Sequence, residues 1–245
     1  MKQVLFKDSD IIEFTTLESP CVYLPEKKMQ MSYKYIKNCP KELAYQLTQM
    51  GWRRFGDYFS RPSCQGCSEC ISIRVDAKNF RWSRSKKRLD KKNSDIKIQI
   101  RDLSLSDEHL NLYDKYHKFM REKKGWEYYK IDKNSYEDLY LRGSSEFAKE
   151  VDYILDDKLI GVDLIDIFDD GLSSLYFYYD PDFRDRSLGN YSIYKEIEFA
   201  KKNSIRWIYL GYSVKDNSSL NYKLRFKPLN RLINLPDNLD EAIWI

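Results

Sequence analysis

The chain has 245 residues, 42% hydrophobic and 15% aromatic, and its 42 basic residues against 38 acidic ones leave a net charge of +4. That length holds one large or two modest domains with proper cores, and the apolar share excludes a disordered chain, which would bury too little surface to offset its ordering entropy. No run approaches the ~18 consecutive apolar residues of a membrane span, and Lys7, Asp8 and Asp10 stand where a secretory leader is apolar, so a cytoplasmic protein without a membrane partner is expected.

Along the chain, Cys21-Val-Tyr-Leu-Pro25 reads as an extended segment cut off by proline. Residues 40–50 place Leu43, Leu47 and Met50 on one helical face, with Gly51 as the stop. Residues 52–61 read as a strand, the segment from Cys64 to Cys70 as a loop, and residues 70–75 as another strand. Ser83 then stands near the N-cap of a helix with an unusual charge. Arg81, Arg84, Lys86, Lys87, Arg88, Lys91 and Lys92 face a single acid, Asp90, within twelve residues. Such an excess binds phosphates by releasing counterions, although a charge run is also the ordinary look of a solvated helix.

A polar joint over residues 93–97 suggests a boundary, giving domains 1–95 and 96–245. Beyond it, Ile96, Ile98 and Ile100 alternate as a strand, and residues 106–124 form an amphipathic helix closed by Gly125. His109 and His117, the two histidines, lie on that helix and read as structural side chains. Three antiparallel strands follow, over 151–155, 159–168 and 172–180, joined by turns rich in Asp and Gly. Pro181 ends the last, residues 184–189 form a loop, 190–203 a helix and 205–212 a further strand. The expected class is α+β, and the order of these late elements resembles the Gcn5-related N-acetyltransferase fold.

Cys64, Cys67 and Cys70 recur at a two-residue pitch, with Gly66 easing the turn and Cys21 upstream as a fourth thiol. Thiols so spaced converge on one soft centre, zinc or an iron–sulfur cluster, although a redox-sensing set of free thiols has the same composition. Cys39 stands apart and reads as a buried, inert thiol. The twenty tyrosines suit wet clefts and base stacking, or simply reflect compositional bias.

The segments Cys21–Pro25, Gly51-Trp-Arg-Arg54, Tyr58–Cys70, Ser83–Arg88, Tyr179-Asp-Pro181, Ser187-Leu-Gly189, Tyr209-Leu-Gly-Tyr212 and Asn221–Phe226 together resemble the aminoacyl-tRNA–protein transferases of the N-degron pathway. Bacterial aspartate/glutamate leucyltransferases are the nearer likeness and arginyltransferases the more distant one. The resemblance implies transfer of Leu or Arg from charged tRNA, as co-substrate, to the α-amine of proteins beginning with Asp or Glu, with no nucleotide cofactor. A tRNA ester is already activated, so orientation, a proton path and oxyanion donors suffice, and few histidines are needed.

On the matching positions, Asp166 is expected to take the amine's proton or to bind the protonated acceptor N-terminus, with Tyr176 and Ser173 on the adjacent strand and Tyr176 donating to the oxyanion. Tyr222, Lys223 and Arg225 would read the acidic side chain. Ser187 and Gly189 would offer backbone amides at a helix N-terminus, Arg84, Lys87 and Arg88 would contact the tRNA backbone, and Cys21, Cys64, Cys67 and Cys70 would hold the cluster or zinc. Family members often carry a Cys-Pro pair before the Asn-Tyr-Lys motif where this chain has Asn217-Ser218, so that cysteine has no counterpart here. Two other functions fit the same residues: an RNA-binding module without turnover, and an acetyl-CoA-dependent N-acetyltransferase.

Overall fold

A computed structural model describes residues 11–143, 146–215 and 217–245, so the charged Lys7, Asp8 and Asp10 lie outside the described residues. Its centre is a mixed sheet of seven strands. In chain order these are β7 (Ile71–Asp76), β8 (Lys97–Asp102), β9 (Ala148–Leu155), β10 (Lys158–Ile167), β11 (Gly171–Tyr179), β12 (Trp207–Ser213) and β13 (Leu229–Arg231). Across the sheet they run β13-β7-β12-β11-β10-β9-β8. Only β11 and β12 are parallel, and they pair over a short stretch, from Gly171 opposite Trp207 to Ser173 opposite Tyr209. The three expected antiparallel strands are present as β9, β10 and β11.

A smaller antiparallel sheet, ordered β1-β4-β6-β5, is built from β1 (Ile11–Thr15), β4 (Met31–Ile36), β5 (Arg53–Phe55) and β6 (Tyr58–Pro62). Between its first two strands lies a short pair, β2 (Ser19–Pro20) and β3 (Lys28–Met29). Residues 52–61, expected as one strand, are therefore a hairpin: Gly56 adopts φ +57 and folds β5 back on β6. The expected boundary at 95/96 does not divide the large sheet from the rest, because β7, from the first hundred residues, lies between β12 and β13.

Helix α1 (Lys41–Gln49) packs Ala44 and Leu47 with Trp52 and Phe59 into a core of its own that reaches Phe147 and Phe168. Cys39 is buried in that core, and burial pushes its thiol up to about 12, as an inert thiol requires. Helix α2 (Arg84–Lys92) is capped by the Ser83 hydroxyl, which accepts the Lys86 amide. Helix α3 (Asp107–Lys124) is capped by Ser106 and ends on left-handed Gly125. Asp107 and Glu108 in its first turn and Arg121, Lys123 and Lys124 in its last oppose the helix dipole.

Helix α4 (Lys133–Tyr136) is a single turn that runs on into a wider turn over Glu137–Leu141. Helix α5 (Leu188–Lys202) follows β11, and α6 (Ser218–Asn221) follows β12. One face of the large sheet, with Val162 and Leu164, is covered by α3 and by Tyr136 and Tyr140. The other, with Tyr153, Ile165 and Leu172, is covered by α5, and Leu89 of α2 packs against the same core.

Candidate active site

The site lies where β11 and β12 part. On the β10 side of β11 the register slips so that Leu164 faces Tyr176 and Ile165 faces Ser174, leaving Leu175 as an extra residue. On β12 the register against β7 slips in the same way and leaves Leu210 extra. Bulges at matching depth on neighbouring strands free backbone carbonyls and open a gap between them. Two cations fill it. Arg53 donates to the carbonyls of Ser174 (2.5 Å) and Leu175 (3.0 Å), and Lys223 donates to that of Leu210 (2.8 Å). The strand beside Arg53 must be glycine: a Cβ on Gly211, which sits at φ +76, would lie 2.7 Å from the Arg53 guanidinium.

Facing these cations from inside the fold are two carboxyl groups, Asp163 on β10 and Glu196 on α5, 0% and 3% exposed. Among the described residues none of their four oxygens receives a well-formed hydrogen bond. Burial, and the charge of each on the other, makes ionising both unfavourable. The Asp163 carboxyl is held well above its ordinary range, and that of Glu196 is pushed up to about 7, less far because Ser174, Asp163, Arg53 and Lys223 offset part of the burial. Burial, then the neighbouring Arg53, brings the Lys223 ammonium down to about 7. Burial thus brings an acid, Glu196, and a base, Lys223, of this pocket towards pH 7 from opposite sides.

Of the expected catalytic residues, Asp166 and Ser173 are register partners on β10 and β11, but Asp166 is committed elsewhere. Both its oxygens are taken by Arg54 in a buried, two-pronged ion pair at 2.7 and 2.8 Å, with side-chain exposures of 1% and 2%. Ser173 is buried beside it. Tyr176 belongs to the opposite face, among Tyr113, Tyr140 and Tyr178. Its hydroxyl donates to His117 Nε2 at 2.7 Å, because His117 Nδ1 is turned to the Tyr113 carbonyl at 2.8 Å. The three are therefore not gathered in one cleft. His109 is a buried structural side chain as expected, bonded to Ser106 and set beside Glu150. With Asp152 these form a close acidic group, already neutralised by Arg101, which bonds Glu150 and Asp152 at 2.7 Å each.

Tyr222, Lys223 and Arg225 lie on a tight turn, Tyr222–Arg225, and not on a strand. The turn divides them: Lys223 enters the gap, Tyr222 lies beside the carboxyl pair, and Arg225 stays exposed, its Nε bonded to the Tyr222 carbonyl at 2.9 Å. Ser187 adopts a left-handed conformation and starts α5, so Gly189, expected in a loop, is in the helix's first turn. Arg186 is tied two-pronged to Asp95, while Arg184 is exposed. Arg84, Lys87 and Arg88 are exposed on α2, and among the described residues none is in an ion pair, whereas Lys86 on the inner side bonds Asp90 and Glu198. Sequence reasoning missed Asp163, Glu196 and Arg53. Two signals were present, Asp163 within the otherwise apolar strand segment 161–167, which also holds Asp166, and Glu196 inside an apolar helix face, while Arg53 stood in the motif Gly51-Trp-Arg-Arg54 without a role.

The thiols of Cys21, Cys64, Cys67 and Cys70 are partly buried and free. Cys64 Sγ lies 3.3 Å from the Gln30 amide and 3.5 Å from the Gln30 carbonyl, and Cys67 Sγ accepts from Lys27 Nζ at 3.8 Å. Burial, then the negative charge of the other three, pushes Cys70 up to about 12. A donor set that repels itself in this way fits a soft cation, although no three of the sulfurs lie within 4.8 Å of one another. The loop adjoins the gap: Tyr23 lies close to Cys70 and Cys21 on one side and to Arg53 on the other.

A split between parallel strands, with bulges on both, a following helix N-terminus and a buried pocket of acids and bases, suits a group-transfer enzyme of mixed α/β fold. The family model for the N terminus of arginine-tRNA-protein transferase matches residues 19–88, and that for its C terminus matches residues 108–233. An aspartate/glutamate leucyltransferase of Campylobacter jejuni is 48% identical over 95% of this chain and 98% of its own length, and one of Helicobacter hepaticus is 41% identical over 96% and 97%. A PaiA N-acetyltransferase from Thermoplasma acidophilum, solved with coenzyme A, has 20% identity and a TM-score of 0.36 over 52% of this chain and 88% of that one. The chain belongs to the aminoacyl-tRNA–protein transferase family, and its activity is that of an aminoacyltransferase.

Proposed function

We propose that this enzyme moves leucine from charged tRNA to the α-amine of proteins that begin with Asp or Glu. The observation that carries this reading is the juxtaposition of two unpartnered carboxyls, Asp163 and Glu196, with two cations, Arg53 and Lys223. An N-terminal Asp or Glu presents the complementary pair, an ammonium and a carboxylate a few bonds apart. The carboxyl pair receives the amine and the cations receive the side chain, a match that an acceptor with a neutral side chain does not make.

An α-ammonium has an ordinary pKa of ~8, close enough to that of Glu196 for proton transfer to cost little. The ammonium gives a proton to the carboxyl pair, and the freed nitrogen attacks the ester carbonyl carbon. A C–N bond forms as the C–O bond to the ribose breaks. The proton held by the pair passes to the departing oxygen, and the nitrogen's remaining extra proton is lost to solvent as the amide forms. The Ser187 amide is bonded to the Arg184 carbonyl at 3.1 Å, whereas the Leu188 and Gly189 amides in the first turn of α5 suit a phosphate near the tRNA's 3′ end. The exposed face of α2, with Arg84, Lys87 and Arg88, suits the rest of the tRNA backbone. Since tRNA is charged in the cytoplasm, that is where the reaction belongs.

Cys21, Cys64, Cys67 and Cys70 would hold zinc or an iron–sulfur cluster. Bound there, the group would supply cross-linking, tying the segment around Tyr23 to the start of β7 and so steadying Arg53. The function is tested with purified enzyme, tRNA carrying labelled leucine or arginine, and peptides beginning with Asp, Glu or Ala. Leucine on the acidic peptides alone is the expected result, and no transfer of either amino acid would overturn it. The same incubation with tRNA but no transfer would instead favour an RNA-binding module.

A further inference from the structure

Beside Glu196, between α5 and the outer half of the large sheet, is a cavity of about 210 Å³ that the reaction as described leaves unused. Its walls are apolar: Ile98, Ile100, Val151, Ile165, Leu172 and Phe199. Its polar lining is Lys195, Glu198 and the exposed Lys202 on the outer side, and the buried Glu196 and Tyr153 inside. Glu198 is held by Lys86 of α2, so the rim of the cavity is joined directly to the basic helix.

We infer that this cavity receives the side chain of the transferred amino acid and selects leucine as the donor. The inference rests on the transferase reading above. In the tetrahedral intermediate the attacking nitrogen and the Cα of the transferred residue are bonded to one carbon, which sets them roughly 2.5 Å apart. A carboxyl that touches the attacking amine therefore also borders the side chain on that Cα. The space bordering Glu196 is largely apolar and roomy enough for an isobutyl group. At the entrance Lys195 is paired with Glu198 at 2.7 Å, so the walls around an entering side chain are what select, and an uncharged branch fits them where a guanidinium would have to shed its water. Because the rim continues into α2, a tRNA lying on that helix brings its acylated end to the opening.

The test compares wild-type enzyme with Ile100→Trp, which fills the mouth, and Phe199→Ala, which widens the interior. Ile100 is 42% exposed on the edge strand β8, so the larger side chain is accommodated without disturbing the fold. Donors are tRNAs charged with Leu, Met, Phe and Arg, and acceptors are Asp-initiated peptides with Ala, Leu or Trp in second position. Ile100→Trp is expected to raise KM for Leu-tRNA about tenfold while leaving the Kd for uncharged tRNA and KM for peptide unchanged. Phe199→Ala is expected to improve Phe-tRNA relative to Leu-tRNA about tenfold, since a methylene or two of fit is worth that much. Unaltered donor choice in both variants, with unchanged thermal melting, overturns the inference. So does a change that follows the second residue of the acceptor, which would make the cavity an acceptor subsite. Wild-type enzyme that fails with Leu-tRNA would remove the transferase reading itself, whereas active wild type with indifferent variants removes only the cavity's role.

Discussion

Asp163 and Glu196, one on a strand and the other on the helix packed over it, meet in the interior, where among the described residues none of their oxygens receives a well-formed hydrogen bond. Unpartnered buried carboxyls cost stability, and a fold keeps them where a ligand supplies what is missing. On the proposed reading that ligand is the ammonium of an acceptor protein. Replacing Glu196 by Gln is expected to lower kcat/KM for an Asp-initiated peptide by about 10²–10⁴. It should also abolish the acidic limb of the rate profile near pH 7, measured by initial rates between pH 5.5 and 9. A limb that persists unchanged would assign the proton transfer to another group.

The same pair makes stability depend on pH. Both carboxyls have folded-state pKa values above those of the unfolded chain, so their favourable contribution is complete below about pH 4 and is lost as pH rises towards 7. In that window the folded protein binds more protons than the unfolded one. Melting temperature should therefore fall between pH 5 and pH 8, and the slope should flatten in the Asp163→Asn, Glu196→Gln double variant. Calorimetry at several pH values measures it.

Lys223 behaves in the opposite sense. Burial and Arg53 bring it to about 7, so at pH 8 much of it is neutral, and a carboxylate arriving beside it restores the charge. Binding of an Asp-initiated peptide at pH 8 should therefore take up a proton at Lys223, seen as a binding enthalpy that varies with the ionisation enthalpy of the buffer. Lys223→Met should abolish the uptake and narrow the preference for Asp over Ala peptides by at least about tenfold.

Asp166 is expected to act on stability rather than on the chemical step. Asp166→Asn leaves the Arg54 guanidinium buried without its counter-charge, at a cost of about 3–5 kcal/mol, or a melting point lower by roughly 10 °C. At temperatures where the variant remains folded, the pH dependence of kcat should match that of the wild type. A shifted pH profile would restore Asp166 to the reaction.

Neutralising Arg84, Lys87 and Arg88 together should reduce the slope of log K against log salt for tRNA binding by about 2–3, with kcat at saturating tRNA unchanged. Filter binding across a salt series reads this directly, and an equal slope would show that these side chains only face solvent.

What the amino-acid order determined by itself was local. Ser83 and Ser106 as caps, Gly125 as a stop, the charge-rich α2 with no buried residue, and the run of β9, β10 and β11 all follow from groups within a few residues of one another. Family motifs along the chain carried the class of reaction, because such motifs are linear. The placement of the chemistry was not linear. Arg53 and Arg54 are neighbours, yet a strand turns successive side chains to opposite faces, so one enters the gap at β11 and the other grips Asp166. Asp163 and Asp166 share β10 but stand three residues apart, so alternation along the strand turns them to opposite faces, and only Asp163 meets the helix that carries Glu196. Which acid becomes a base depends on what covers each face of the strand, and that covering is settled by strand order and by helices far away in the chain.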